Sequence, residues 1–233
     1  MNRSQLVILA FLTVFGVTTA PELLSARTLG LRSTAQAQPA AAATAAAETP
    51  THVATRLADH RIEVREVAFA GTSVKSGRAT GLVDAPIAIV QRIVQDYAKY
   101  SEFLPNFRAS RVLSQRGGQA VVYLEASVLH NTATLWTQMR MRPRPPVVNA
   151  DGTTTQVVEA TMLSGNVERM AARWELTSVD QGTRTLVSFE FLVEPELPFP
   201  ASVMTSQNVA AARRTLGRLR ARLIEPRFAV ATR

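Results

Sequence analysis

The chain has 233 residues, 46% of them apolar and 19% charged, a balance that supports one core of moderate size plus extra segments. It contains no cysteine, which excludes disulfides, thiolate metal sites, a cysteine nucleophile and a lipidated N-terminal cysteine. The net charge of +8 is uneven: residues 1–37 hold Arg3, Arg27 and Arg32 against Glu22, and residues 200–233 hold seven Arg against one Glu. The segment between is close to neutral, so the basic excess sits on and after the last helix, where it suits phosphates or simply water.

Residues 1–20 give a positive start at Arg3 and then a continuous apolar run from Leu6 to Val17, the length of a signal-peptide core and short for a membrane span. Ala35-Gln36-Ala37 offers a small-x-small cleavage pattern, so residues 1–37 are expected to be a signal peptide cut after Ala37. That places the body in the periplasm or outside the cell; an uncleaved N-terminal anchor is the alternative. Residues 38–59 begin as an Ala/Thr/Pro tract with no apolar period, expected to be a flexible linker. A ligand-binding domain is expected over 60–228, with a tail at 229–233.

From Ile62 the pattern alternates. Ile62, Val64, Val67 and Phe69 begin one strand region, which a turn near Ser76-Gly77 carries into Ala79–Val83. Asp84 ahead of Pro86 reads as a helix start, with Val90, Ile93 and Val94 on the buried stripe and an end near Asp96 or Tyr97. A second short helix is expected over Tyr100–Leu104.

Further strands follow: Arg111–Ser114, a hairpin at Gly117-Gly118, Ala120–Leu129, a turn at His130-Asn131, and Thr132–Met141. Arg142-Pro143-Arg144-Pro145-Pro146 is expected to leave the ladder as a loop. After a turn at Asp151-Gly152 come Gln156–Leu163, Met170–Val179 and Thr183–Val193. In the last, Val187, Phe189, Phe191 and Val193 share the face expected to point inward.

Pro200 to Pro226 brackets a helix of about 24 residues. Val209, Ala212, Leu216, Leu219 and Leu223 fall on one stripe, and Arg213, Arg214, Arg218, Arg220 and Arg222 lie between them. An anionic membrane surface is the candidate partner for these five arginines; a solvated helix face is the plainer reading.

The run Val83-Asp84-Ala85-Pro86, Ile93-Val94-Gln95-Asp96-Tyr97, Tyr100, Phe103, Leu104 and Pro105 resembles the first helices of START-like (SRPBCC) proteins, in the polyketide cyclase/dehydrase or coenzyme-Q-binding branch. The resemblance implies an α+β helix-grip fold: a seven-stranded antiparallel sheet wrapped around a long C-terminal helix, with two short helices after the first strand. It also implies a cavity between sheet and helix for a hydrophobic small molecule, a lipid, quinone or similar. Tyr97, Phe103, Leu104, Leu135, Met139, Met141, Trp174, Phe189, Phe191, Met204, Asn208 and Leu216 are the candidate lining residues.

Catalytic templates are not found. There is no Gly-x-Ser-x-Gly elbow, no phosphate-cradling loop, no dinucleotide fingerprint and no His pair at metal spacing, so no cofactor, metal or catalytic residue is expected. The strand carboxylates Glu125, Glu159, Glu175 and Glu190 qualify as bases only if they face inward. The favoured function is therefore a non-catalytic, exported binder of a hydrophobic molecule. A cyclase or dehydratase using inward carboxylates or Arg173 is one alternative. A cytoplasmic RNA or ribosome binder is the other, and the export signal and the lack of aromatics among the arginines argue against nucleic acid.

Overall fold

The computed structural model describes residues 48–104, 107–128, 133–196 and 199–225, all within the second of two units, Ala46–Arg233. The expected signal peptide, the first part of the linker, His130, Pro226 and the tail lie outside the described residues.

Eight long strands form one antiparallel sheet in the order β1-β2-β9-β8-β7-β5-β4-β3. They are β1 Ile62–Val67, β2 Ser76–Val83, β3 Phe107–Arg116, β4 Gln119–Val128, β5 Ala133–Pro143, β7 Thr154–Gly165, β8 Arg169–Val179 and β9 Arg184–Glu194; a two-residue β6, Val147–Val148, pairs with β7. The helices are α1 Pro50–Arg56, α2 Ile87–Gln95, α3 Tyr100–Phe103 and α4 Ala201–Leu223, with a 3₁₀ turn at Tyr97–Lys99 between α2 and α3. Among the described residues no helix is long and apolar enough to cross a membrane.

This is the helix-grip arrangement, with nine strands rather than seven. The two short helices follow the second strand, because β1 and β2 complete a hairpin first. Gly77 stands inside β2, not in a turn. The ladder also runs through Pro143, which pairs with Val158, where a loop was expected. Arg144 donates its N–H to Val157, so the proline nitrogen points to the other side. There β4 has already ended opposite Met141, and the missing N–H leaves no bond unmade.

Two further expectations are corrected. Asp84 makes no cap: Pro86 is the N-cap of α2 and no side chain caps it. Residues 50–59, expected as flexible linker, are not all linker, since Pro50–Arg56 is helical and Thr49 caps it by accepting from the His52 N–H. That helix buries Ala54 and Leu57 against Leu82, Val179 and Leu186. The outward face of β2, β8 and β9 thereby acquires its own small apolar cluster, which fixes the helix to the sheet.

The main core lies on the opposite face. It joins Val90, Ile93 and Val94 of α2 and Tyr100 and Phe103 of α3 to Val122, Met139, Trp174 and Val187 of the sheet and Ala212, Leu216 and Leu219 of α4. Each leucine removed from water here stabilises the fold by roughly 1.5–3 kcal/mol. The buried stripe of α4 is Thr205, Asn208, Ala212, Thr215, Leu216, Leu219 and Arg222. Its middle matches the expected apolar stripe, but polar side chains take over at both ends, where Val209 and Leu223 are only half-buried.

Those polar ends clamp the helix. Asn208 accepts from the Val193 N–H (3.1 Å) and donates to the carbonyls of Lys75 (3.0 Å) and Val193 (3.3 Å), and Thr205 accepts from the Lys75 N–H. Three turns beyond Asn208, Arg220 donates to the carbonyls of His60, Arg61 and Leu82. A helix tied to the sheet at both ends in this way is a fixed wall rather than a hinged lid.

Candidate functional site

Strand alternation sends Leu135, Thr137, Met139 and Met141 of β5 to the concave face, with Val158, Ala160 and Met162 of β7, Met170, Ala172, Trp174 and Leu176 of β8, and Val187, Phe189, Phe191 and Val193 of β9. Register brings them together: Met162 lies opposite Met139, and Ala172 lies between Ala160 and Phe191. Met139, Met141, Trp174, Leu176 and Val187 are fully buried; toward the other end Leu135, Met162, Ala172, Phe191 and Val193 are only partly buried, with Thr137 and Met170 buried among them. That partly buried end belongs to four adjacent strands, near the starts of β5 and β8 and the ends of β7 and β9.

Of the residues expected to line a cavity, Tyr97, Phe103, Leu104, Met139, Met141, Trp174, Phe189 and Leu216 lie in one contiguous buried cluster, with Leu135 and Phe191 half-buried against it. Met204 is half-buried in the first turn of α4. Asn208 is fully buried, and its amide is spent on the backbone of β9 and Lys75. Met162 and Ala172, not singled out from sequence, complete the partly buried end with Val193, which the sequence places on the inward face but not among the lining candidates. The alternation of β7 and β8 carries the signal that marks them.

Methionine is concentrated here. Of the six methionines, all except Met1 stand on the concave strands or on α4: Met139, Met141, Met162, Met170 and Met204. Unbranched and polarizable, such side chains repack around differently shaped guests at low cost. The aromatic side chains form the facing wall. Trp174 packs on Phe189 at 4.1 Å between ring centroids, Phe189 on Phe191 at 6.1 Å, and Tyr97 and Phe103 each meet Tyr100 edge-on at 5.8 Å.

The strand carboxylates face the other way. Glu159, Glu175 and Glu190 lie on the convex side, where Arg173 bridges Glu159 (2.8 Å) and Glu175 (2.9 Å), Arg78 pairs with Glu175, and Ser76 donates to Glu190. Glu125 accepts from the Tyr123 hydroxyl beside the stacked Trp136. Arg173, the proposed substrate-orienting residue of the enzyme alternative, is part of this outer network.

Two open clefts flank α4. One, of about 560 Å³, lies between Val64 and Arg65 of β1 and Ser206, Val209 and Arg213 of α4. The other, of about 270 Å³, is bounded by Phe103 and Leu104 and by Arg218 and Arg222. The Arg222 guanidinium lies 5.6 Å over the Phe103 ring and is held by Glu102 and Glu225. Only Arg213, Arg214 and Arg218 of the five helix arginines are exposed; Arg220 is half-buried and Arg222 is buried.

A nine-stranded sheet gripping a long C-terminal helix over an apolar concave face defines a START-like domain. The family model for polyketide cyclase / dehydrase and lipid transport matches residues 83–220, and the chain belongs to that family. Solved structures share the fold. A STAR-related lipid transfer protein from Xanthomonas axonopodis is similar at 20% identity and a TM-score of 0.55, over 70% of this chain and 94% of that one. A START superfamily protein from Mycobacterium smegmatis matches at 16% and 0.52, over 63% and 95%. Human StAR-related lipid transfer protein 5 matches at 14% and 0.53, over 69% and 80%. No curated protein matches the chain.

Proposed function

We propose that this chain is an exported, non-catalytic protein that binds a lipid, quinone or similar apolar molecule between the concave face and α4. The observation that carries this reading is the partly buried apolar end of that face, Leu135, Met162, Ala172, Phe191 and Val193, backed by five adaptable methionines. Partly buried apolar surface of this kind, beside a fixed helix, suits a hydrophobic guest. The non-catalytic part is supported by Glu159, Glu175, Glu190 and Arg173, which are committed to one another on the opposite face.

Native mass spectrometry with solvent extraction of protein purified from a periplasm tests the binding. A stoichiometric apolar molecule is expected in the wild type, and Ala172→Trp, which fills the partly buried end, is expected to lose it while the circular dichroism spectrum stays unchanged. Protein that is empty in repeated preparations and takes up neither lipids nor quinones would sink the proposal. N-terminal sequencing of the same material is expected to begin at Gln38; retention of Met1 in a membrane fraction would instead establish the anchored form.

A further inference from the structure

Two tyrosines one turn apart enter the core from the 3₁₀ turn and α3, and their hydroxyls are treated differently. The Tyr100 hydroxyl donates to the Val94 carbonyl at 2.5 Å. The Tyr97 hydroxyl has no hydrogen-bond partner among the described residues and no contact with solvent, in a side chain only 5% exposed. Buried hydroxyls are rarely left this way, because losing water without a replacement bond is costly. Where it happens, the group is commonly one that serves something other than the fold.

The position of Tyr97 indicates what it serves. Its ring meets Tyr100 edge-on, Tyr100 shares the core with Trp174, Trp174 packs on Phe189, and Phe189 stacks on Phe191. That row starts at the partly buried Phe191 and finishes at the unpartnered hydroxyl, so Tyr97 offers a free valence at its buried end. Burial pushes the Tyr97 phenol up to about 12, so it is a neutral donor at physiological pH.

We infer that Tyr97 is the interior hydrogen-bond donor for the bound molecule, and that this molecule carries a neutral oxygen, a ketone, ester or alcohol, at the end that enters first. The inference rests on the binding reading above and specifies its ligand class. A carboxylate or phosphate is disfavoured at this depth: an unpaired anion is expensive to bury, and Arg222, the buried cation of the core, is already held by Glu102 and Glu225.

The test uses the full chain and three probes delivered from cyclodextrin: a straight-chain alkane, the methyl ketone and the carboxylic acid of the same length. The wild type is expected to bind the ketone about tenfold more tightly than the alkane, the size of one well-made hydrogen bond. In Tyr97→Phe that preference is expected to vanish while alkane affinity holds. The bound ketone's infrared carbonyl stretch should lie at lower frequency in the wild type than in the variant. Without ligand, Tyr97→Phe should unfold at an equal or higher urea concentration, since it removes an unsatisfied hydroxyl. An unchanged ketone preference and carbonyl stretch in the variant would overturn the role of Tyr97 while leaving the binding reading intact. Tightest binding of the acid would overturn the neutral-ligand class, and failure of all three probes to bind the wild type would overturn the binding reading itself.

Discussion

The backbone of Val209 occupies the space that a side chain on Gly77 would fill: its nitrogen and α-carbon lie within overlap distance of any β-carbon built there. Immediately after Asn208, α4 therefore rests directly on β2. Four residues along the same strand face, Gly81 seats the Arg220 guanidinium, 2.7 Å from where its own β-carbon would be. Gly77→Ala must push α4 off the sheet or bend β2, and an overpacking cost of about 1–3 kcal/mol is expected. Gly217, on the same helix, faces open space, so Gly217→Ala should instead stabilise by about 0.5–1 kcal/mol through helix propensity. Urea midpoints of the two variants, moving in opposite directions, check the packing of this wall.

Asp151 accepts from the N–H and hydroxyl of Thr51 and from the N–H and hydroxyl of Thr153, tying α1 to the β6–β7 turn. These bonds, the Thr153 hydroxyl foremost, hold its carboxyl down at about 2 against an ordinary 3.8. A depressed folded-state value favours the fold above the unfolded value and loses that contribution as pH falls through the folded one. The stability difference between wild type and Asp151→Asn should therefore be constant above about pH 5 and shrink as pH falls toward 2. A difference that does not change over this range would contradict the assignment.

Arg213, Arg214 and Arg218 are the exposed cations of α4, and replacing all three with Gln should abolish binding to vesicles rich in anionic lipid. Each such charge near an anionic surface contributes about 1 kcal/mol, so the wild-type affinity should fall steeply with added salt. Arg222 should behave differently. It is 5% exposed and held by Glu102 and Glu225, so Arg222→Ala removes the buried cation that these two carboxylates share and is expected to lower the urea midpoint with little effect on vesicle binding. Equal vesicle binding by the triple variant and the wild type would rule out α4 as the membrane-facing element.

The concave residues were legible to the extent that alternation is local. Leu135, Met139, Phe189 and Phe191 follow from a period of two within their own strands. Met162, Ala172 and Val193 share that period, yet nothing in a single strand says how far the partly buried end extends. That depends on which strands neighbour one another, and the register Met162 to Met139 and Ala172 to Phe191 is set by partners distant in the chain. The unpartnered state of the Tyr97 hydroxyl likewise has no local signature, because it is a property of everything packed around it.

By itself the sequence determined the elements: the strand faces, the hairpin at Gly117-Gly118, the short helices after Val83 and the long last helix, all of which arise from side chains close in the chain. Only the tertiary structure decided how the charges and small residues were spent. Arg220 and Arg222 look the same as Arg213 along the helix, but packing against β1, β2 and α3 withdraws them from solvent. Gly77 reads as a turn residue until α4 lies across it, and residues 50–56 read as linker until the outer face of β2 and β9 offers Ala54 and Leu57 an apolar seat. In each case the deciding interaction joins residues separated by twenty or more positions, and no local period records it.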